Sequence, residues 1–141
     1  MPAEPTKADH ESSVIDLTGI HHAGLPVANF ERALEFYTKV LGLRQITAPK
    51  GFSERVRWLQ LGEQHIHLIL HDGTLAPNGP RHVALHVKDV RAAKEFLTSR
   101  GFELDAAPFV DGAERFYMND PDGNSLELIQ WFIDWGDGSH Q

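Results

Sequence analysis

The sequence predicts an α+β fold made of two tandem β-α-β-β-β modules, and three observations point to it. The chain matches itself at a constant offset of sixty residues. Each half passes from a short alternating stretch through an amphipathic helical pattern into three more alternating stretches. A Gly- and Pro-rich segment, DGTLAPNGP at 72–80, separates the halves. The match is clearest between IHHAGLPVANFERALEFYT (20–38) and PRHVALHVKDVRAAKEFLT (80–98). There His22 meets His82, Leu25 meets Leu85, Val27 meets Val87 and Ala33 meets Ala93, with Glu35, Phe36 and Thr38 falling on Glu95, Phe96 and Thr98. The same offset carries Arg55 onto Arg115, Leu68 and Ile69 onto Leu128 and Ile129, and His67 onto Glu127. Identities recurring at one offset mark a duplicated structural unit.

The elements follow in order. HHAGLPV and RHVALHV place apolar residues at every second position, the period of a half-buried strand. A helix follows each, with Asn29 and Asp89 as N-caps and Gly42 and Gly101 as stops. In the first half Phe30, Ala33, Leu34, Tyr37, Val40 and Leu41 recur at helical spacing. Strands are then expected at LRQITA, RVRWLQLG and HIHLILH, and in the second half at FELDAAP, ERFYMND and SLELIQW. The expected organisation is a polar tail over 1–15, a first module over 16–72, a linker over 73–80, a second module over 81–132 and a C-terminal tail over 133–141. The two modules together form one domain. Trp131 and Trp135 are the residues near that tail with surface to dock.

Bulk composition narrows the function. The 13 Lys and Arg against 20 Asp and Glu give a net charge of −7, and no basic cluster offsets it, so no nucleic acid is expected as a partner. No apolar run approaches the ~18 residues of a membrane span, and MPAEPTKADHESS has no apolar core of a secretory signal. Cysteine is absent, which removes disulfides, thiolate ligands and a Cys nucleophile. A cytoplasmic protein acting on a small molecule is the expectation. The nine histidines are the compositional oddity, and seven of them lie between residues 21 and 86.

Strand geometry sorts those histidines. Residues two apart share a face. If Ala23, Leu25 and Val27 pack under the first helix, His22 faces the other way, and so does His82 when Val83, Leu85 and Val87 pack under the second. With Ile66, Leu68, Leu70, Leu126 and Leu128 in the core, His65, His67, His71 and Glu127 take the opposite face. Two sheets folding into a cleft would then present His22, His67, His82 and Glu127 inward. Three imidazoles and a carboxylate suit Zn, Ni, Fe(II), Co or Mn, with coordination positions left for two neighbouring substrate oxygens. His67 reads as either a ligand or an acid–base group beside the metal. His21 reads as a core or strand-end residue, His65 and His71 as solvent-facing positions, and His86 as a pocket residue. Arg115 and Tyr117 share a face and, with Trp58, are candidate substrate-binding residues; Trp58 has plain core packing as its alternative. Phe52 sits in a loop able to cover the cleft.

GIHHAGLPVANFERALEFYTKVLGL, RHVALHVKDV and RFYMNDPDGNSLELIQ together resemble the vicinal oxygen chelate superfamily, which includes glyoxalase I, fosfomycin-resistance proteins and extradiol dioxygenases. The resemblance spans about residues 18–132. It implies a U-shaped, metal-holding mixed sheet cleft of glyoxalase-like form, with His22, His67, His82 and Glu127 as metal ligands and Glu127 or His67 as the catalytic acid–base group. It further implies a homodimer and a metal-dependent lyase or isomerase that stabilises an enolate or alkoxide. Glyoxalase I members usually have Glu or Gln where this chain has His67. A thiol transferase of the fosfomycin type or an Fe(II) extradiol dioxygenase are alternatives, as is a non-catalytic drug-binding protein.

Overall fold

The computed structural model describes residues 14–76 and 79–133. His10, Trp135 and His140 lie outside them. The first module comprises β1 (His22–Val27), α1 (Phe30–Glu35), a π-helical turn (Phe36–Val40), β2 (Arg44–Ile46), β3 (Val56–Leu61) and β4 (Gln64–Leu70). The second comprises β5 (Val83–His86), α2 (Val90–Ser99), β6 (Asp105–Ala106), β7 (Ala113–Asn119) and β8 (Ser125–Trp131). Each forms a four-stranded sheet, in the orders β1-β4-β3-β2 and β5-β8-β7-β6. The outer pairs β1–β4 and β5–β8 are parallel and the remaining pairs antiparallel. No helix among the described residues is long and apolar enough to cross a membrane.

The helix ends follow the sequence. The Asn29 side chain accepts from the Arg32 N–H at 2.9 Å and that of Asp89 from the Ala92 N–H at 3.0 Å, satisfying donors the first turns leave open. Gly42 and Gly101 take the left-handed conformation, at φ 81° and 86°, that lets the chain leave each helix. What the periodicity does not show is the change of winding after Glu35. The Leu41 N–H donates to the Phe36 carbonyl, five residues back, at 3.0 Å. This π turn carries the fully buried Tyr37.

Tyr37 belongs to a clasp between the modules. Its hydroxyl donates to Asp120 at 2.6 Å. Burial, and then the negative charge of Asp120, hold the phenol well above its ordinary pKa. Asp120 also accepts from the backbone N–H groups of Asp122 and Asn124, folding DPDGN into a tight loop. From that loop the Asn124 amide reaches the Pro26 carbonyl at 2.9 Å, and Asp122 takes the Ala28 N–H and the Arg32 guanidinium, both at 2.8 Å. Beside the clasp one hydrophobic core runs through both modules, including Val27, Leu59, Ile66 and Leu68 with Leu97, Met118 and Leu126. Each such side chain taken from water contributes roughly 1.5–3 kcal/mol. Phe36 meets Phe102 edge-on across the modules, with ring centroids 5.6 Å apart.

The strand register reproduces the repeat, with one correction. On β4 and β8 the offset of sixty is kept: Gly24 pairs with His67 where Ala84 pairs with Glu127. On β3 and β7 it becomes fifty-nine. Val56 sits opposite Ile69 as Arg115 sits opposite Ile129, and Trp58 opposite His67 as Tyr117 sits opposite Glu127. Arg55 is therefore not the structural counterpart of Arg115. It precedes β3, where it bonds the Leu70 carbonyl and Asp72. The cause is turn length: the paired residues Gln60 and His65 enclose four residues, whereas their counterparts Asn119 and Ser125 enclose the five of DPDGN.

Candidate metal and acid–base site

The donor residues stand on the sheet faces turned away from the core. In the first module His67 is the centre, 5 % exposed. Its ring stacks against His22 (centroids 3.7 Å, 17°) and against Trp58 (4.3 Å, 15°). Trp58 is thus buried among imidazoles on the site face and is not part of the hydrophobic core cluster. Phe52, from the loop before β3, lies edge-on to it at 4.9 Å, and the Trp58 Nε1 is buried without a hydrogen-bond partner. Burial, reinforced by the neighbouring His22, His65 and His21, lowers the His67 pKa to about 4. The imidazole is neutral at pH 7, the form in which a ring nitrogen can bind a metal or accept a proton.

The second half-site has a different composition. Glu127 is 6 % exposed and accepts from the Arg115 guanidinium at 3.0 Å. Arg115 also reaches the Tyr117 hydroxyl at 3.1 Å and the Pro108 carbonyl at 3.3 Å, while its Nε is buried without a partner. Tyr117 is held above its ordinary pKa, first by its hydrogen bond to Glu127, then by burial and the carboxylate charge, with Arg115 opposing. The ring of Tyr117 meets that of His82 edge-on at 5.5 Å.

The orientation of His82 bears on whether a metal fits. Its Nδ1 lies 2.9 Å from the Pro80 carbonyl, which can only accept, so Nδ1 carries the hydrogen. In the neutral ring Nε2 then presents a lone pair towards Glu127 Oε1, 3.5 Å away. Two acceptors facing each other require a cation between them, either a proton on the imidazole or a metal. Nitrogen and oxygen ligands at about 2.1 Å from one ion lie about 3.0–3.4 Å apart, close to this separation. The carbonyl contact is the outer hydrogen bond that ordinarily orients a metal-ligating histidine. The donor set present here fits a divalent metal.

The chain keeps the four expected ligands as two pairs, His22 with His67 and His82 with Glu127. Among the described residues, the group of three possible ligands with donor atoms all within 4.8 Å is instead His21, His65 and His67. The repeat does not single out His21 and His65, whose equivalent positions hold Arg81 and Ser125; the signal for them is the HH pair and the H-x-H spacing on one strand face. His71 lines a cavity of about 400 Å³ with Gly24, Pro26, His82, Asp122 and Asn124. His86 is exposed at the end of β5, opposite Ile129.

Two duplicated β-α-β-β-β modules with nitrogen and carboxylate side chains at equivalent positions define a class of protein by its fold, and the comparisons give the family. Residues 19–128 match the Glyoxalase/Bleomycin resistance protein/Dioxygenase superfamily, and the chain belongs to that family. A lactoylglutathione lyase of Pseudomonas putida is 28% identical, over 78% of this chain and 83% of that protein. The structure of a protein assigned to the glyoxalase family from Bacillus anthracis superposes with a TM-score of 0.74 at 27% identity, covering 82% of this chain and 96% of that one. An antibiotic binding protein from Streptomyces sp. CB03234 superposes with a TM-score of 0.66 at 25% identity, covering 82% and 98%.

Proposed function

We propose that the protein is a metal-dependent, glyoxalase-like lyase or isomerase acting on a small substrate with two neighbouring oxygens, and that His22, His67, His82 and Glu127 hold its metal. The observation that carries this reading is the pair His82–Glu127: an imidazole oriented by the Pro80 carbonyl sets its Nε2 3.5 Å from a buried carboxylate. Its repeat counterpart, His22–His67, supplies two more nitrogen donors on the equivalent face of the other sheet. When bound, the metal supplies Lewis acidity towards the two substrate oxygens.

The chain's own residues would move the proton. A Glu127 carboxylate oxygen would take the proton from the hydroxyl-bearing carbon next to the substrate carbonyl and return it to the carbonyl carbon, while the hydroxyl proton passes to the former carbonyl oxygen, which isomerises the substrate with no net gain or loss of protons. Arg115 and Tyr117 would hold the carboxylate in position. Neutral His67 offers a second proton acceptor, and Trp58 and Phe52 would exclude water beside it. A homodimer is the proposed assembly. The cationic groups a phosphonate would need are already engaged, Arg55 by Asp72, Arg57 by the Glu54 carbonyl and the Phe30 ring, and Arg115 by Glu127, which disfavours the thiol-transferase alternative.

The test is turnover of the methylglyoxal–glutathione hemithioacetal by protein loaded in turn with zinc, nickel, cobalt, manganese and iron(II), alongside fosfomycin with thiols and catechols. Turnover of the hemithioacetal supports the reading; turnover of another panel member alone reassigns the reaction. Tight metal-free binding of a small aromatic drug, with no turnover of any panel member, would make the protein a binding module, as the likeness to the antibiotic binding protein suggests.

A further inference from the structure

We propose that the first module carries a metal site of its own, formed by His21, His65 and His67, which takes a divalent first-row ion without any ligand from the second module. The backbone builds it. The parallel ladder of β1 and β4 opens at the pair His22–His65, where the His65 N–H donates to the carbonyl of the preceding His21 at 3.0 Å. That bond sets His21 beside His65, with ring centroids 4.8 Å apart. His67 follows two residues along β4 on the same face, its Nε2 3.3 Å from the His65 Nδ1. The possible ligand atoms of all three lie within 4.8 Å of one another, so small rotations of the rings bring them onto one ion.

The surroundings suit this use. Burial falls from His67 through half-buried His65 to exposed His21, so the innermost ligand is fixed by packing and the outermost meets solvent. Trp58 braces His67 by stacking, and its own buried Nε1 has no partner. His22 touches His21, Nδ1 to Nδ1 at 2.8 Å, and completes a face of four imidazoles without a carboxylate or thiolate. Such a set selects ions that favour nitrogen, namely copper(II), nickel, zinc and cobalt, over calcium, magnesium or manganese. His67 also belongs to the four-donor set proposed above, so a chain fills one site or the other and binds one ion at this face. The two readings are otherwise independent.

Cobalt(II) alone is the probe, titrated into full-length protein and followed by its visible absorption and by quenching of the Trp58 emission, with Trp58→Phe as the control for the other tryptophans. The His82→Ala/Glu127→Gln double variant removes both second-module donors. One equivalent of cobalt is expected to bind it and quench Trp58. Adding His21→Ala and His65→Ala, both at accessible positions, is expected to weaken that binding by about tenfold or more. If wild type binds cobalt and the double variant does not, the proposal is overturned and the four-donor reading stands. If neither binds, both are overturned. Binding to the double variant that survives loss of His21 and His65 also overturns the proposal, because other histidines would then be the ligands.

Discussion

The two half-sites occupy equivalent places in duplicated sheets and differ in every other respect. His67 and Glu127 sit at the same register position, and Trp58 and Tyr117 at the same position on the neighbouring strand. Around His67 every neighbour is an aromatic ring: two stacked rings and two further imidazoles, with burial that keeps the proton off His67 itself. Around Glu127 everything is a charge or a donor: a guanidinium, a phenol and an oriented imidazole. One backbone plan has thus been given two electrostatic tasks. The first half gathers imidazole nitrogens, and the second holds a carboxylate beside a guanidinium and a phenol.

Removing the charge should break that division most severely. Glu127→Gln keeps the shape but loses the anion, so turnover should fall by about a hundredfold or more, as for loss of a group acting on the transition state. Steady-state kinetics with the metal content measured on the same sample checks this, and unchanged activity with unchanged metal would show that Glu127 has no part in the site. Arg115→Met would leave Glu127 buried with only Tyr117 and His82 beside it. A loss of about 2–4 kcal/mol is expected by urea unfolding, whereas Trp58→Phe in the other half leaves no charge exposed and should cost less.

How far this comparison could be read from sequence depended on the kind of feature. The repeat, the caps and the alternation that pairs His22 with His67 on one sheet and His82 with Glu127 on the other are local, since they depend on spacing and on the type of each residue. The slip between Arg55 and Arg115 was hidden because it arises from unequal turns, and a fixed offset cannot register a turn one residue longer. The π turn escaped for a related reason: Phe30, Ala33, Tyr37 and Leu41 fit an α-helix equally well, and only the backbone bond from the Leu41 N–H to the Phe36 carbonyl distinguishes the two. DPDGN was legible as a turn but not as the loop that ties the modules together, because its partners lie more than eighty residues away.

That clasp gives a further contrast between the modules. Tyr37→Phe removes one buried hydrogen bond to a carboxylate and should cost about 1.5–3 kcal/mol. It should also change the alkaline limit. The folded state holds the Tyr37 phenol above its unfolded value of about 10, so its contribution is complete below pH 10 and is lost as pH rises further. Urea midpoints between pH 9 and pH 11 should therefore fall more steeply for wild type than for Tyr37→Phe. Parallel slopes would show that Tyr37 is not the titrating group.

The smallest expected effect lies at the acid end, in protein stripped of metal. The folded state lowers the His67 pKa to about 4 from an ordinary value of 6.5, so the unfolded chain takes up this proton first. Stability should decline as pH falls from about 6.5 towards 4 and then level off as far as this group is concerned. His67→Gln should flatten that part of the profile. An identical decline in the variant would move its cause to another histidine.

The account turns on one point, that the imidazole half and the carboxylate half act together on a single ion. Metal analysis of wild type and of His82→Ala/Glu127→Gln, with hemithioacetal turnover measured on the same samples, tests it most directly. The account predicts about one equivalent of metal per wild-type chain with metal-dependent turnover, and loss of that turnover in the double variant even where metal is retained. A wild-type protein that takes up less than about a tenth of an equivalent on titration, or a double variant that turns over as well as wild type, would contradict it.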